Sequence, residues 1–218
     1  MNATFSKKLD FFGASSSALR LISSRAGYSR NVVETAGVCV INARDLSGDF
    51  IYPVCEYAVA QNTTLAFTLG KAYKYNGLGF FLTAVSVRTT VGAFPLVTFT
   101  GTANEGEDAI KKFPVSVNIN ARSKAQDVAG AFSLPSGCHL NTCETTWSAE
   151  PVVIIEPFEN GAKAVASDIQ HGRVDANAST LLGSPSAASG WDFIMLPDPA
   201  GIDCDYELHT VTATRSLT

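Results

Sequence analysis

Apolar and polar residues alternate with a period of two along most of this chain. Val115, Val117 and Ile119 alternate with Ser116, Asn118 and Asn120, the pattern of a strand with one buried face. Phe81, Thr83, Val85, Val87 and Thr89 form one face of another. Residues 96–100 are β-branched and aromatic and follow Pro95, a good strand start. The turn residues of 91–95 join these last two strands, predicting a hairpin over 80–101 centred in the fold. A second hairpin is predicted at Glu159-Asn160-Gly161, because Asn-Gly favours positive φ at both turn positions. Residues 203–214 read as a long closing strand, and 38–43, 50–60 and 64–69 as shorter ones.

Helical periodicity is scarce. Residues 15–25 have the length of about three turns, with Leu19 and Ile22 on one face. Residues 108–112 and 124–130 have the length for a turn or two each. Many short strands separated by turn signals predict a mainly β fold: an antiparallel β-sandwich or barrel with one or two short helices. The reading is a single β-rich domain over 1–218, with 150–218 open as an added subdomain. Two small, polar segments, 101–108 and 184–190, read as exposed loops.

Composition narrows the function classes. Hydrophobic residues make up 46% and charged residues 17%, too apolar for a disordered chain. The net charge of −4 argues against coating a duplex, which needs clustered Lys and Arg. No apolar run reaches the roughly 18 residues of a membrane-spanning helix. The start of the chain lacks the apolar stretch of a secretory signal. Five scattered cysteines (39, 55, 138, 143 and 204) are not a disulfide framework. Cys39 and Cys55 lie in apolar strand segments and read as buried, reduced thiols.

Three chemistries are testable on residue spacing. Cys138-His139-x-x-x-Cys143 places two thiols and an imidazole close together, but a structural zinc site wants four ligands and no second spaced pair follows. His171 and Cys204 are the nearest further donors, so no metal is expected. His139, His171 and His209 are the histidine bases, and no signature pairs one with a nucleophile. Asp203 and Asp205 share one strand face, more in keeping with a solvated side than with paired-carboxylate catalysis; Asp198 adds a third carboxylate without an EF-hand pattern. Phosphate-binding glycine motifs are absent. The expectation is a non-enzymatic protein with no catalytic, cofactor-binding or metal-binding residues.

The segment 69–106 opens with a short strand and continues through Gly79 to Val87, the Phe94-Pro95 turn and a Val-Thr-rich strand ending at Gly101. Together with 49–57, this stretch resembles β-rich tail proteins of phages and prophages over about residues 45–135. The resemblance implies a tail structural protein, tail-tube-like, that assembles into rings. Its implied partners are copies of itself and other tail proteins. It implies no specific nucleic-acid binding, no membrane span, and a location in the host cytoplasm before assembly and in the virion after it. An acidic conduit would repel phosphate and let DNA slide.

The first expectation is therefore a phage or phage-like tail protein that self-associates through sheet edges and loops. The alternative is a β-sandwich module binding carbohydrate or protein through exposed aromatics, with Trp147, Trp191 and Tyr206 as candidates. A third reading is a thiol- or metal-dependent enzyme using Cys138, His139 and Cys143.

Overall fold

A computed structural model of the protein describes residues 9–14, 16–29, 32–35, 43–46, 50–104, 108–158, 161–197 and 208–218. The first strands are β1 (Leu19–Ser29), β2 (Val32–Thr35), β3 (Ala43–Leu46), β4 (Phe50–Val59) and β5 (Thr63–Leu69). The middle of the chain forms β6 (Ala72–Tyr75), β7 (Leu78–Thr90), β8 (Leu96–Asn104), β9 (Phe113–Ile119) and β10 (Phe132–Ser133). The last are β11 (His139–Phe158), β12 (Gly161–Leu182), β13 (Ser186–Ala187), β14 (Asp192–Pro197) and β15 (His209–Ser216). The fold is mainly β and antiparallel, with no helix among the described residues.

The main sheet has nine strands, in the order β1-β4-β8-β7-β11-β12-β15-β14, with β6 pairing the start of β7. It is open, so the sandwich and not the barrel is the architecture. The two-stranded ribbon β5–β9 lies over one face. Phe67 of this ribbon packs edge-on against Phe99 and Trp147 of the sheet, at 6.5 and 5.6 Å between centroids. Phe113 of the same ribbon meets β12 so closely that a Cβ on Gly172 would stand 2.8 Å from its ring. After residue 150, β12, β14 and β15 continue the same sheet, while β13 pairs β10 in a separate two-stranded sheet.

The inner face follows from the pairing. Cys55, Tyr57, Val97, Phe99, Val85, Val87, Trp147, Val174, Ala176, Ala213 and Val211 stand on paired positions of that face and are buried. The segment before β1 closes one end of this core. Phe11 stacks edge-on against Phe80 and Tyr75, Phe12 against Tyr73, and the Tyr57 hydroxyl donates to Asp10 Oδ1. Burial first, and that hydrogen bond second, push the Tyr57 phenol above its ordinary range.

The predicted 80–101 hairpin is β7–β8, with Val85 opposite Phe99 and Val87 opposite Val97. One detail differs. The register shifts between Leu82 and Ala84, so Thr83 is an extra residue and the alternation slips by one. Phe80 and Leu82, not Phe81, share the face of Val85 and Val87; Phe81 is buried on the other side. The strands flanking the second predicted turn are also paired, β11 with β12 from His139↔Leu182 to Phe158↔Gly161, while Glu159 and Asn160 lie outside the described residues.

The predicted helices are corrected. Residues 19–25 belong to strand β1, which pairs with β4 from Leu19↔Val59 to Ser29↔Phe50. Ile22 sits at a register shift and is exposed, so its spacing from Leu19 is that of a bulge, not of a helix face. The serines around it favour local side-chain bonding over helix. Residues 108–112 and 124–130 are bends held by carboxylates. Asp108 accepts Ala72 N–H at 3.0 Å, and Asp127 accepts Ala129 N–H at 3.2 Å and Phe132 N–H at 2.8 Å. Of the predicted loop at 101–108, residues 101–104 complete β8, and 105–107 lie outside the described residues. The expected strand over 38–43 lies outside the described residues except Ala43, the first residue of β3; of the expected closing strand 203–214, residues 203–207 lie outside them and 209–214 belong to β15.

Candidate functional site

Among the described residues, the side chains that carried possible chemistry are divided between core and surface. Cys138 is buried before β11, His139 is exposed, and Cys143 faces the core. Burial, with the negative charge of Asp127 adding to it, raises the Cys143 thiol from 9.0 to about 12, so it stays protonated at neutral pH. His171 sits exposed in a bulge opposite Ala149, with φ of 50°. His209, half-buried at the start of β15, has its Nδ1 without a hydrogen-bond partner. Among the described residues no three His, Cys, Asp or Glu side chains are grouped for a metal. Cys39, Cys204, Asp198, Asp203, Asp205 and Tyr206 lie outside the described residues.

The aromatic candidates are core residues where they are described. Trp147 packs on Phe67, and Trp191 lies buried under the Arg215 guanidinium, 4.6 Å from the ring centroid. Cys55 is buried as expected, and burial raises its thiol. A shallow groove of about 350 Å³ runs between β5 and β9 past Lys71 and Tyr73, near the small end of ligand sites. It gathers no set of titratable groups.

What stands out is an edge. The outer face of the main sheet is polar and internally bonded. Ser86 donates to Glu144 at 2.7 Å, Thr212 to Asn177 at 2.9 Å, and Thr214 to Asp175 at 2.8 Å. Among the described residues β14 ends the sheet, paired on one side only, by β15. There the pattern breaks: Ile194 is 62% exposed, Leu196 59% and Met195 40%. Phe193 turns inward and packs on Phe132, 6.2 Å between ring centroids. Another exposed aromatic, Phe94 at the β7–β8 turn, is covered by Arg122, 4.3 Å above its ring. β14 carries no cation, and Asp192 is its one charge.

An apolar edge strand is a template for pairing with another chain, and proteins that avoid association blunt such edges with charges, prolines or bulges; on β14 the charge and the proline stand only at its two ends, Asp192 and Pro197. No period-two alternation marks residues 192–197 as a strand. The signal was present: Phe193-Ile194-Met195-Leu196 is an apolar run without alternation that ends in Pro197, a residue that sheets tolerate at edges. The predicted loop 184–190 is mostly exposed, as expected, apart from the buried Pro185 and the short strand β13 that pairs β10.

Comparison with known proteins found no matching family, no curated relative and no matching solved structure.

Proposed function

We propose that this chain is a non-enzymatic structural protein that self-associates through the edge strand β14, of the kind used in phage or phage-like tails. The observation that carries the reading is the exposed apolar strand at the end of an otherwise polar-faced sheet. The tail assignment is supported by the sequence resemblance over 45–135, whose centre is the β6–β8 region of the main sheet. Association through a sheet edge removes that edge from solvent and uses backbone hydrogen bonds for affinity.

Size-exclusion chromatography with light scattering across a concentration series tests the reading, followed by negative-stain electron microscopy of the concentrated protein. Self-association, with rings or regular assemblies by microscopy, is expected. A strict monomer at every concentration contradicts it.

A further inference from the structure

The outward backbone groups of β14 form a definable set. Leu217 N–H donates to Gly172 C=O at 2.6 Å, and His209 N–H donates to Thr180 Oγ1 at 3.0 Å. Alternate residues of β15, from His209 to Arg215, therefore turn their amides toward β12. The residues between them, Thr210, Thr212 and Thr214, exchange ladder bonds with Leu196, Ile194 and Asp192 of β14. That leaves the amides of Phe193 and Met195, and the carbonyl of Pro197, facing the open side. Pro197 costs no ladder bond there, because the N–H it lacks would point away from the sheet.

We infer that β14 pairs antiparallel with β14 of a second copy across a two-fold axis at Ile194, an inference that rests on the self-association reading above. In this register Phe193 of each copy exchanges hydrogen bonds with Met195 of the other, so both outward donors on each strand are used. A register centred on Met195 would set Phe193 against Pro197, which has no N–H to give. One centred on Phe193 would set Met195 against Trp191, whose N–H already donates to Ala188 C=O at 3.3 Å. With the axis at Ile194, the two isoleucines meet as a non-hydrogen-bonded pair, where side chains approach most closely. Asp192 then faces Leu196 of the other copy, so the carboxylates are kept apart.

A second copy could instead present its β1 edge. That edge has a register shift at Ile22 and carries the exposed Arg20 and Arg25, the two devices that turn an edge away from pairing. The β14 edge has no register shift and no cation, and its one charge, Asp192, stands at its first residue. An isologous contact of this kind closes on itself, so β14 builds a dimer and any larger assembly uses a further surface.

Cysteine cross-linking in the full chain, with Cys39 and Cys204 changed to Ser, tests both the edge and the register. Cα atoms of a non-hydrogen-bonded pair lie about 4.5 Å apart, within disulfide reach. The Ile194→Cys variant should become mostly a covalent dimer under mild oxidation, whereas Leu196→Cys should not. Met195→Pro removes an outward donor without touching the β15 ladder, and should abolish the dimer while the circular dichroism spectrum is retained. Cross-linking by Leu196→Cys in place of Ile194→Cys overturns the register. Association that survives Met195→Pro, with no cross-link at Ile194, overturns the β14 interface while self-association itself stands. A wild-type chain that stays monomeric overturns both.

Discussion

Two ends of the same row of residues obey different rules. Across the outer face, Arg88 stands beside Glu144, Glu144 beside Asn177, and Asn177 beside Thr212; the next position, on β14, is Ile194. The neighbouring row runs Thr90, Thr142, Ser179, Thr210 and then Leu196. In the middle of the sheet an outward side chain meets water and is polar, while its inward neighbours, such as Val85 and Trp147, fill the core. At β14, beyond Asp192, the outward Ile194 and Leu196 are as apolar as the inward Phe193 and Met195. Folding accounts for the centre, because each buried face there has a partner within the chain. It does not account for Ile194 and Leu196, whose apolar surface no described residue of the chain covers.

The same substitution at the two places should separate these roles most sharply. Val85 is fully buried between Trp147 and Phe99 on adjacent strands, so Val85→Asp places an unpaired charge in the core. The loss of several kcal/mol is comparable with the stability of a domain, and cooperative thermal unfolding should disappear. Ile194→Asp should leave the melting temperature within a few degrees of the parent, since surface changes usually stay within about 0.5 kcal/mol. It should nevertheless lose association, because two carboxylates would face each other across the axis. Equal damage from both variants would show that β14 is a folding element only.

A smaller effect is expected where the two layers touch. Gly172→Ala drives a methyl into the Phe113 ring, and overpacking of this kind costs about 1–3 kcal/mol. Chemical denaturation should show a lowered midpoint with association at β14 unchanged. If association falls together with stability, the edge is coupled to the layer contact and the two regions are not independent.

Cys143 reports on the core by pH. Its thiol is raised to about 12 in the folded state, above the ordinary 9.0, so the folded state favours the protonated form. This contribution is fully present below about pH 9 and is lost as pH rises toward 12. Thiol titration at neutral pH should leave Cys143 and Cys55 unlabelled until denaturant is added. Rapid labelling of Cys143 in the native protein would place its strand face wrongly.

The smallest effect belongs to Asp108. It pairs with Lys112 at 2.5 Å and caps Ala72 N–H, and these contacts hold its carboxyl below the usual range. The stabilisation exists above the unfolded carboxylate pKa and fades as pH falls through the lowered one. Both partners are largely exposed, so Asp108→Asn should cost below about 1 kcal/mol, with the difference from the parent vanishing in acid.

The hairpin β7–β8 and the strand β9 were legible because strict alternation encodes a half-buried strand directly. The bulges were not. Thr83 and Ile22 each add a residue that no local pattern marks, and the second made a strand look helical. The distribution of Cys138, His139 and Cys143 between core and surface depends on which face of β11 is buried, which is settled by pairing with β7 and β12. Trp147 was open to two readings for the same reason, until Phe67 of a separate ribbon covered it. β14 was readable as an apolar run ending in proline, but its edge position comes only from the strand order, in which β15 separates it from β12.

Sedimentation velocity of the wild-type chain beside Ile194→Asp, over a wide concentration range, tests the central claim most directly. The account predicts a concentration-dependent dimer for the wild type and a folded monomer for the variant. Identical sedimentation of the two, whether as monomers or as dimers, would contradict it.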